Sequence, residues 1–153
     1  MAEPEPTDLG ELVRAVALES VQQGADIRVK GGQDFLRVNV VPGAVRAALA
    51  NLIENATEVS PDGEPVEVTI SVEDREAAIH IVDGGPGLPD AVRERLFSPH
   101  VTTKVGGSGM GLFLARQLVV GMHGGTLEMV DGDHGGTVAT IRLPLSNEDP
   151  TNG

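Results

Sequence analysis

Seven residues, Gly106-Gly107-Ser108-Gly109-Met110-Gly111-Leu112, hold four glycines and lead directly into an amphipathic helical pattern. Glycine lets a backbone approach a ligand closely and adopt torsions other residues avoid. A helix start offers unpaired N–H groups and a partial positive charge, which suit an anion. The chemistry implied is the cradling of phosphates. Spacing excludes two common forms of it. A P-loop ends in Gly-Lys-Ser/Thr, whereas the nearby lysine, Lys104, precedes the glycines. Dinucleotide folds and protein kinases need G-x-G-x-x-G; here the glycines fall as G-x-G-x-G, with no strand leading straight into them.

Four further clusters could do chemistry. Asn51 and Asn55 lie four apart in a helical pattern and share a face, with Glu54 and Glu58 on or near it. They fit a cleft lining or a solvent-facing side equally. Ile79-His80-Ile81-Val82 runs into Asp83-Gly84-Gly85-Pro86-Gly87. An acid at a strand end, followed by glycines, can accept a hydrogen bond from a ligand close to the backbone; an ordinary turn has the same pattern. Phe97 to Lys104, which includes Thr102 and Thr103, reads as a lid with one lysine for a phosphate, or as a surface loop. Gly135-Gly136-Thr137 opens the last strand, where a plain turn is the alternative.

The elements that must position these groups follow from periodicity. Leu9, Leu12, Val13, Val16 and Ala17 keep helical spacing, with Asp8 as N-cap and Gly24 at the end. Ile27 and Val29, then Leu36, Val38 and Val40, alternate as strands. Val45, Ala48, Leu49, Leu52, Ile53 and Ala56 stripe a helix from about Gly43 to Glu58. Val66 to Val72 and Ile79 to Ile81 predict an antiparallel hairpin about a charged turn. A short helix is expected over 90–96 and the glycine-loop helix over 109–122. Strands over 126–130 and 137–143 close the pattern. The fold class is α+β: a two-layer sandwich with a mixed, mostly antiparallel sheet and helices on one face. Residues 1–7 and 146–153 read as flexible polar tails around one domain, 8–145.

Bulk properties narrow the partners. The chain has 153 residues, 40% hydrophobic, with no tryptophan or tyrosine and three phenylalanines. The core is therefore aliphatic, and a base-stacking surface is not expected. A net charge of −12 disfavours nucleic acid. It leaves an anionic ligand open, since backbone amides and a metal ion neutralise phosphates locally. No cysteine is present, so disulfides and thiol chemistry are excluded. Apolar runs fall short of the ~18 residues of a membrane span, and no signal peptide opens the chain. The expectation is a cytoplasmic domain without membrane contact.

In this order and spacing, the clusters resemble those of the ATP-binding catalytic domain of bacterial sensor histidine kinases. That superfamily is shared with gyrase B, mismatch-repair MutL and the heat-shock chaperones. Asn51-Leu52-Ile53-Glu54-Asn55-Ala56 looks like the N box, and Asp83 to Gly87 like the first glycine box. Phe97 to Lys104 looks like the F box, with the Thr-Thr-Lys ending of nitrogen-regulation-type kinases. Gly107 to Leu112 and Gly135 to Thr137 look like the second and third glycine boxes. The resemblance spans about residues 8 to 145. It implies the Bergerat fold, with ATP between the N-box helix and the lid.

Roles follow from the matching positions. Asn55 would ligate Mg²⁺, which favours oxygen ligands and keeps several waters. Asp83 would accept the adenine amino group, Gly85 and Gly87 would let the backbone pass the base, and Thr137 would support it. Gly107, Ser108, Gly109, Met110, Gly111 and Leu112 would wrap the phosphates, with Thr102, Thr103 and Lys104 closing from the lid. Asn51 stands where ATP-hydrolysing relatives carry a glutamate that activates water. Asparagine cannot take that proton, so slow hydrolysis is expected. The chain departs from the family at Gly84, where asparagine is common, and at Glu58, where many kinases are basic.

The family also needs a phosphoacceptor histidine on a dimerising helical hairpin. His80, His100, His123 and His134 do not fit that role. The acceptor is expected in trans or in a segment outside this chain, with a response regulator downstream and the isolated domain monomeric. Two other readings compete: an anti-sigma-factor-like serine kinase of the same superfamily, and a nucleotide-responsive module without catalysis.

Overall fold

The computed structural model of the chain describes residues 3–32, 36–87, 111–133 and 135–146. The expected helix over 90–96, the lid from Phe97 to Lys104 and the glycines before Gly111 lie outside the described residues.

A five-stranded sheet carries the fold, in the order β2-β4-β5-β7-β6. Its strands are β2 (Ile27–Gly31), β4 (Val66–Glu73), β5 (Glu76–Val82), β6 (Thr126–Asp131) and β7 (Thr137–Pro144). β4 and β5 form the expected antiparallel hairpin, with Glu73 opposite Glu76. Asp74 and Arg75 between them have φ of 50° and 65°, as a two-residue turn matched to sheet twist requires. β7 pairs antiparallel with both β5 and β6. Alternation gives the sheet two faces. Val66, Val68, Ile70, Ala77, Ile79, Ile81, Ala139, Ile141 and Leu143 are buried in one core. The other face carries Ser71, Glu73, His80, Thr140 and Arg142.

Three helical segments cover the apolar face: α1 (Leu9–Gln22), α2 (Pro42–Val59) and α3 (Gly111–Arg116). The stripe Val45, Ala48, Leu49, Leu52, Ile53 and Ala56 is buried as its spacing predicts. Pro42 opens α2, where its missing N–H costs nothing. Past Arg116 the helix changes pitch, and Gln117–Gly121 forms a π-helical turn. The expected helix ending at Met122 is thus continuous but not uniformly α.

Three local expectations change. β2 and β3 (Arg37–Val40), read as neighbouring strands, do not pair. β2 runs parallel to β4, Ile27 opposite Val66, and a parallel pair needs a crossover, here β3 and α2. β3 instead pairs antiparallel with β1 (Glu5–Asp8), Glu5 opposite Val40. So residues 5–7 of the expected N-terminal tail form a strand. At the other end, Ser146 is still tied down, its N–H donating to the Arg37 carbonyl at 2.8 Å. Asp8 does precede α1 but makes no side-chain capping bond.

Candidate nucleotide site

Asp83 sits at the end of β5 and is 6% exposed. A hydrophobic strand buried against two neighbours ends there and delivers a carboxylate to the edge of the core. Asp83 and Thr137 grip one another: the Asp83 N–H donates to the Thr137 carbonyl at 3.0 Å. In return the Thr137 N–H donates to Asp83 Oδ1 at 3.1 Å. Gly85 N–H donates to the same oxygen at 2.9 Å. Among the described residues both bonds to the carboxylate therefore fall on Oδ1. Burial raises the Asp83 pKa, while the Gly85 and Thr137 amides act in the opposite direction.

Two glycines make this junction possible. Gly136 has φ of +74°, and a Cβ there would lie 1.9 Å from the Asp83 carbonyl oxygen. At Gly85 a Cβ would come within 2.7 Å of the Val59 carbonyl oxygen, at the end of α2. The first and third glycine boxes are thus packed on each other and on the N-box helix. The loop after α2 completes the contact. Ser60 Oγ accepts from the Gly84 N–H at 3.1 Å, and the Glu64 carboxylate occupies the space that a side chain at position 84 would need. Gly84 is therefore matched by Glu64, which sequence reasoning missed. Ser60 was legible only as part of the helix stop.

Asn51 and Asn55 lie one turn apart on α2, both half-buried. Among the described residues neither side chain has a hydrogen-bond partner. Glu54 and Glu58 were expected on or near that face. Both also line a groove of about 490 Å³ between α1 and α2, with Val16, Glu19 and Thr57. Gly111 and Leu112 open α3, with Leu112 packed against the core. Thr137 is buried beside Asp83. Gly87, with φ of +86°, faces Asp131 and Gly136. Thr102, Thr103, Lys104, Gly107, Ser108, Gly109 and Met110 lie outside the described residues, as do His100 and His134.

A metal cage of carboxylates is not built here: among the described residues no cluster of three or more His, Cys, Asp or Glu could hold an ion. Magnesium on a nucleotide does not need one, since it keeps waters and phosphate oxygens and takes one or two protein ligands. The Asn55 amide, without a hydrogen-bond partner among the described residues, fits such a ligand.

Comparison with known proteins agrees with this arrangement. Residues 40–147 match the family model described as histidine kinase-, DNA gyrase B-, and HSP90-like ATPase. Nitrogen regulation protein NtrY of Azorhizobium caulinodans is 38% identical over 113 residues, 69% of this chain and 14% of that protein. Sporulation kinase D of Bacillus subtilis is 31% identical over 111 residues, 72% of this chain and 22% of that protein. The chain thus spans at most about a fifth of the length of either relative. Among solved structures, the catalytic domain of histidine kinase ThkA superposes with a TM-score of 0.82 at 27% identity, covering 93% of this chain and 95% of that one. The chain belongs to the histidine kinase-, DNA gyrase B- and HSP90-like ATPase family, and within it to the catalytic domains of sensor histidine kinases.

Proposed function

We propose that the chain binds Mg·ATP and supplies its γ-phosphate to a histidine on a dimerising helical hairpin, from which a response regulator takes it. The observation that carries the nucleotide reading is Asp83, buried, with its two described hydrogen bonds both on Oδ1. Oδ2 is left to accept from an exocyclic amino group such as that of adenine. Gly85, Gly87 and Thr137 shape the adjoining wall. Asn55 would hold the magnesium ion, which when bound neutralises phosphate charge and orients the transferring group.

Asn51 would contribute a neutral amide beside the phosphates. It can orient a water or a phosphate oxygen but cannot accept a proton from water. Lys104, with Thr102, Thr103 and the residues from Gly107 to Leu112, would complete the phosphate contacts. Positioning and charge stabilisation then supply most of the rate, as in other phosphoryl transfers. The domain works in the cytoplasm in this reading. No helix among the described residues is long and apolar enough to cross a membrane.

The test is transfer from γ-labelled ATP to a separately prepared histidine-bearing hairpin. An acid-labile, base-stable label on the hairpin is the expected result. Label on serine would favour the anti-sigma-factor-like reading. Tight ATP binding with no transfer would leave a nucleotide-responsive module.

A further inference from the structure

His123 does not take part in the site just described, yet its ring joins two elements that do. Its Nε2 lies 3.0 Å from the backbone nitrogen of Val41, and its Nδ1 lies 2.6 Å from the Leu118 carbonyl oxygen. These partners fix the ring. An N–H can bond Nε2 only through a lone pair, and a carbonyl can bond Nδ1 only through a proton. The imidazole is therefore neutral and protonated on Nδ1.

Each partner has structural weight. Val41 is the residue that starts α2, its carbonyl accepting from Ala44 at 3.0 Å and Val45 at 3.2 Å. With its N–H held by His123, both backbone groups of Val41 are used. Leu118 belongs to the π-helical turn Gln117–Gly121 that continues α3. Such turns are uncommon and occur often at functional sites. His123 thus pins the end of one helix to the beginning of another.

The direction of the two helices gives the pin its reach. α2 packs along both α3 and the π-helical turn. With the end of the second helix fixed at the start of the first, the pair must run antiparallel. Asn51 lies ten residues beyond Val41, about 15 Å along α2 at 1.5 Å per residue. Gly111 lies a similar distance back from His123. The pin is at one end of the pair; the asparagine turn of α2 and the start of α3 both lie toward the other.

We propose that His123 is a positioning residue for the nucleotide site, holding the spacing between the Asn51–Asn55 side of α2 and the phosphate-facing start of α3. This rests on the ATP reading above. It concerns a residue that touches neither base nor phosphate. Loss of the pin lets the two helices slide or splay, and the cost appears as weaker nucleotide binding by a folded protein.

The test compares His123→Asn with His123→Gln in the 153-residue chain. The shorter amide can serve Leu118 but cannot reach Val41. The longer one brings a carbonyl oxygen to the place of Nε2. Magnesium–ATP affinity is measured by titration, and circular dichroism verifies that each variant is folded. His123→Asn is expected to weaken binding about 3- to 10-fold, a fraction of the effect of losing a part-buried hydrogen bond, and His123→Gln to stay within about 2-fold of the unaltered chain. A role confined to stability would lower the melting temperature and leave the affinity of the folded fraction unchanged. Nitrogen-15 NMR of the imidazole is expected to show the Nδ1–H tautomer. Equal affinity in all three proteins, or the Nε2–H tautomer, overturns the role of His123 while the ATP reading stands. Failure of the unaltered chain to bind ATP overturns both.

Discussion

In the proposed reading, Asn51 sets what the bound nucleotide is for. A positioned general base contributes about 10²- to 10⁴-fold to a reaction that activates water, and a neutral amide contributes none of it. Glu54, the nearest carboxylate in sequence, lines the groove between α1 and α2. In the proposed reading, position 51 therefore offers water an amide and no base. The substitution Asn51→Glu is expected to raise steady-state ATP hydrolysis at least about 10-fold, a tenth of the least that a well-positioned base supplies. Phosphate release measured against the unaltered chain checks this, and no gain would remove the argument from residue 51. Asp83 was legible because a carboxylate after an alternating apolar strand is conspicuous. The division of labour between its oxygens was not. It depends on Thr137, brought from the far end of the chain by the β5–β7 pairing.

The outward face of the sheet has a network of its own. Glu73 near the end of β4 accepts from Ser71 Oγ at 2.8 Å. It also bonds His80 Nε2 on β5 at 2.8 Å and Arg142 on β7 at 3.2 Å. His80 Nδ1 meets Thr140 Oγ1 at 2.9 Å, so one chain of polar contacts staples three strands. The bond to His80, then that to Ser71, lowers the Glu73 pKa from 4.5 to about 2, with burial opposing and Arg142 assisting. A carboxyl with a depressed folded pKa stabilises the fold above its ordinary range and loses that contribution on acidification. The loss falls between pH 4.5 and about 2. Glu73→Gln should therefore flatten the acid limb of a melting-temperature profile over that interval. An unchanged slope would mean that the half-exposed carboxylate is screened by solvent. None of these contacts could be read from spacing, since they depend on register between strands. The same reason hid three other features: the parallel β2–β4 pairing, the β1–β3 ribbon, and the bond between His123 and Val41. Period 3.6 in α2 and period 2 in β4 are local and were plain; partners are not local. β1 was the hardest to see, because Glu5-Pro6-Thr7-Asp8 has no apolar alternation and is a strand only through its pairing with β3.

At the scale of the molecule, helices and sheet share one core made almost wholly of aliphatic side chains. Without Trp or Tyr, close fit among Leu, Ile, Val and Ala must supply the cohesion. Leu49 is fully buried on α2. Leu49→Ala should lower the unfolding free energy by about 2–5 kcal/mol, as a cavity-forming deletion does. Denaturant titration with an unchanged slope would assign the loss to packing. The crossover between β2 and β4 has a consequence for how this core is reached. The β4–β5 hairpin closes over two residues, whereas β2 must wait for β3 and all of α2 before Ile27 can meet Val66. Closing a long loop costs entropy that later contacts alone can offset. The hairpin and its partners can therefore assemble early, while the edge strand β2 docks late. Until then, the edge of β4 is open to other chains, so crowding during synthesis is a hazard at β4 rather than at the nucleotide site.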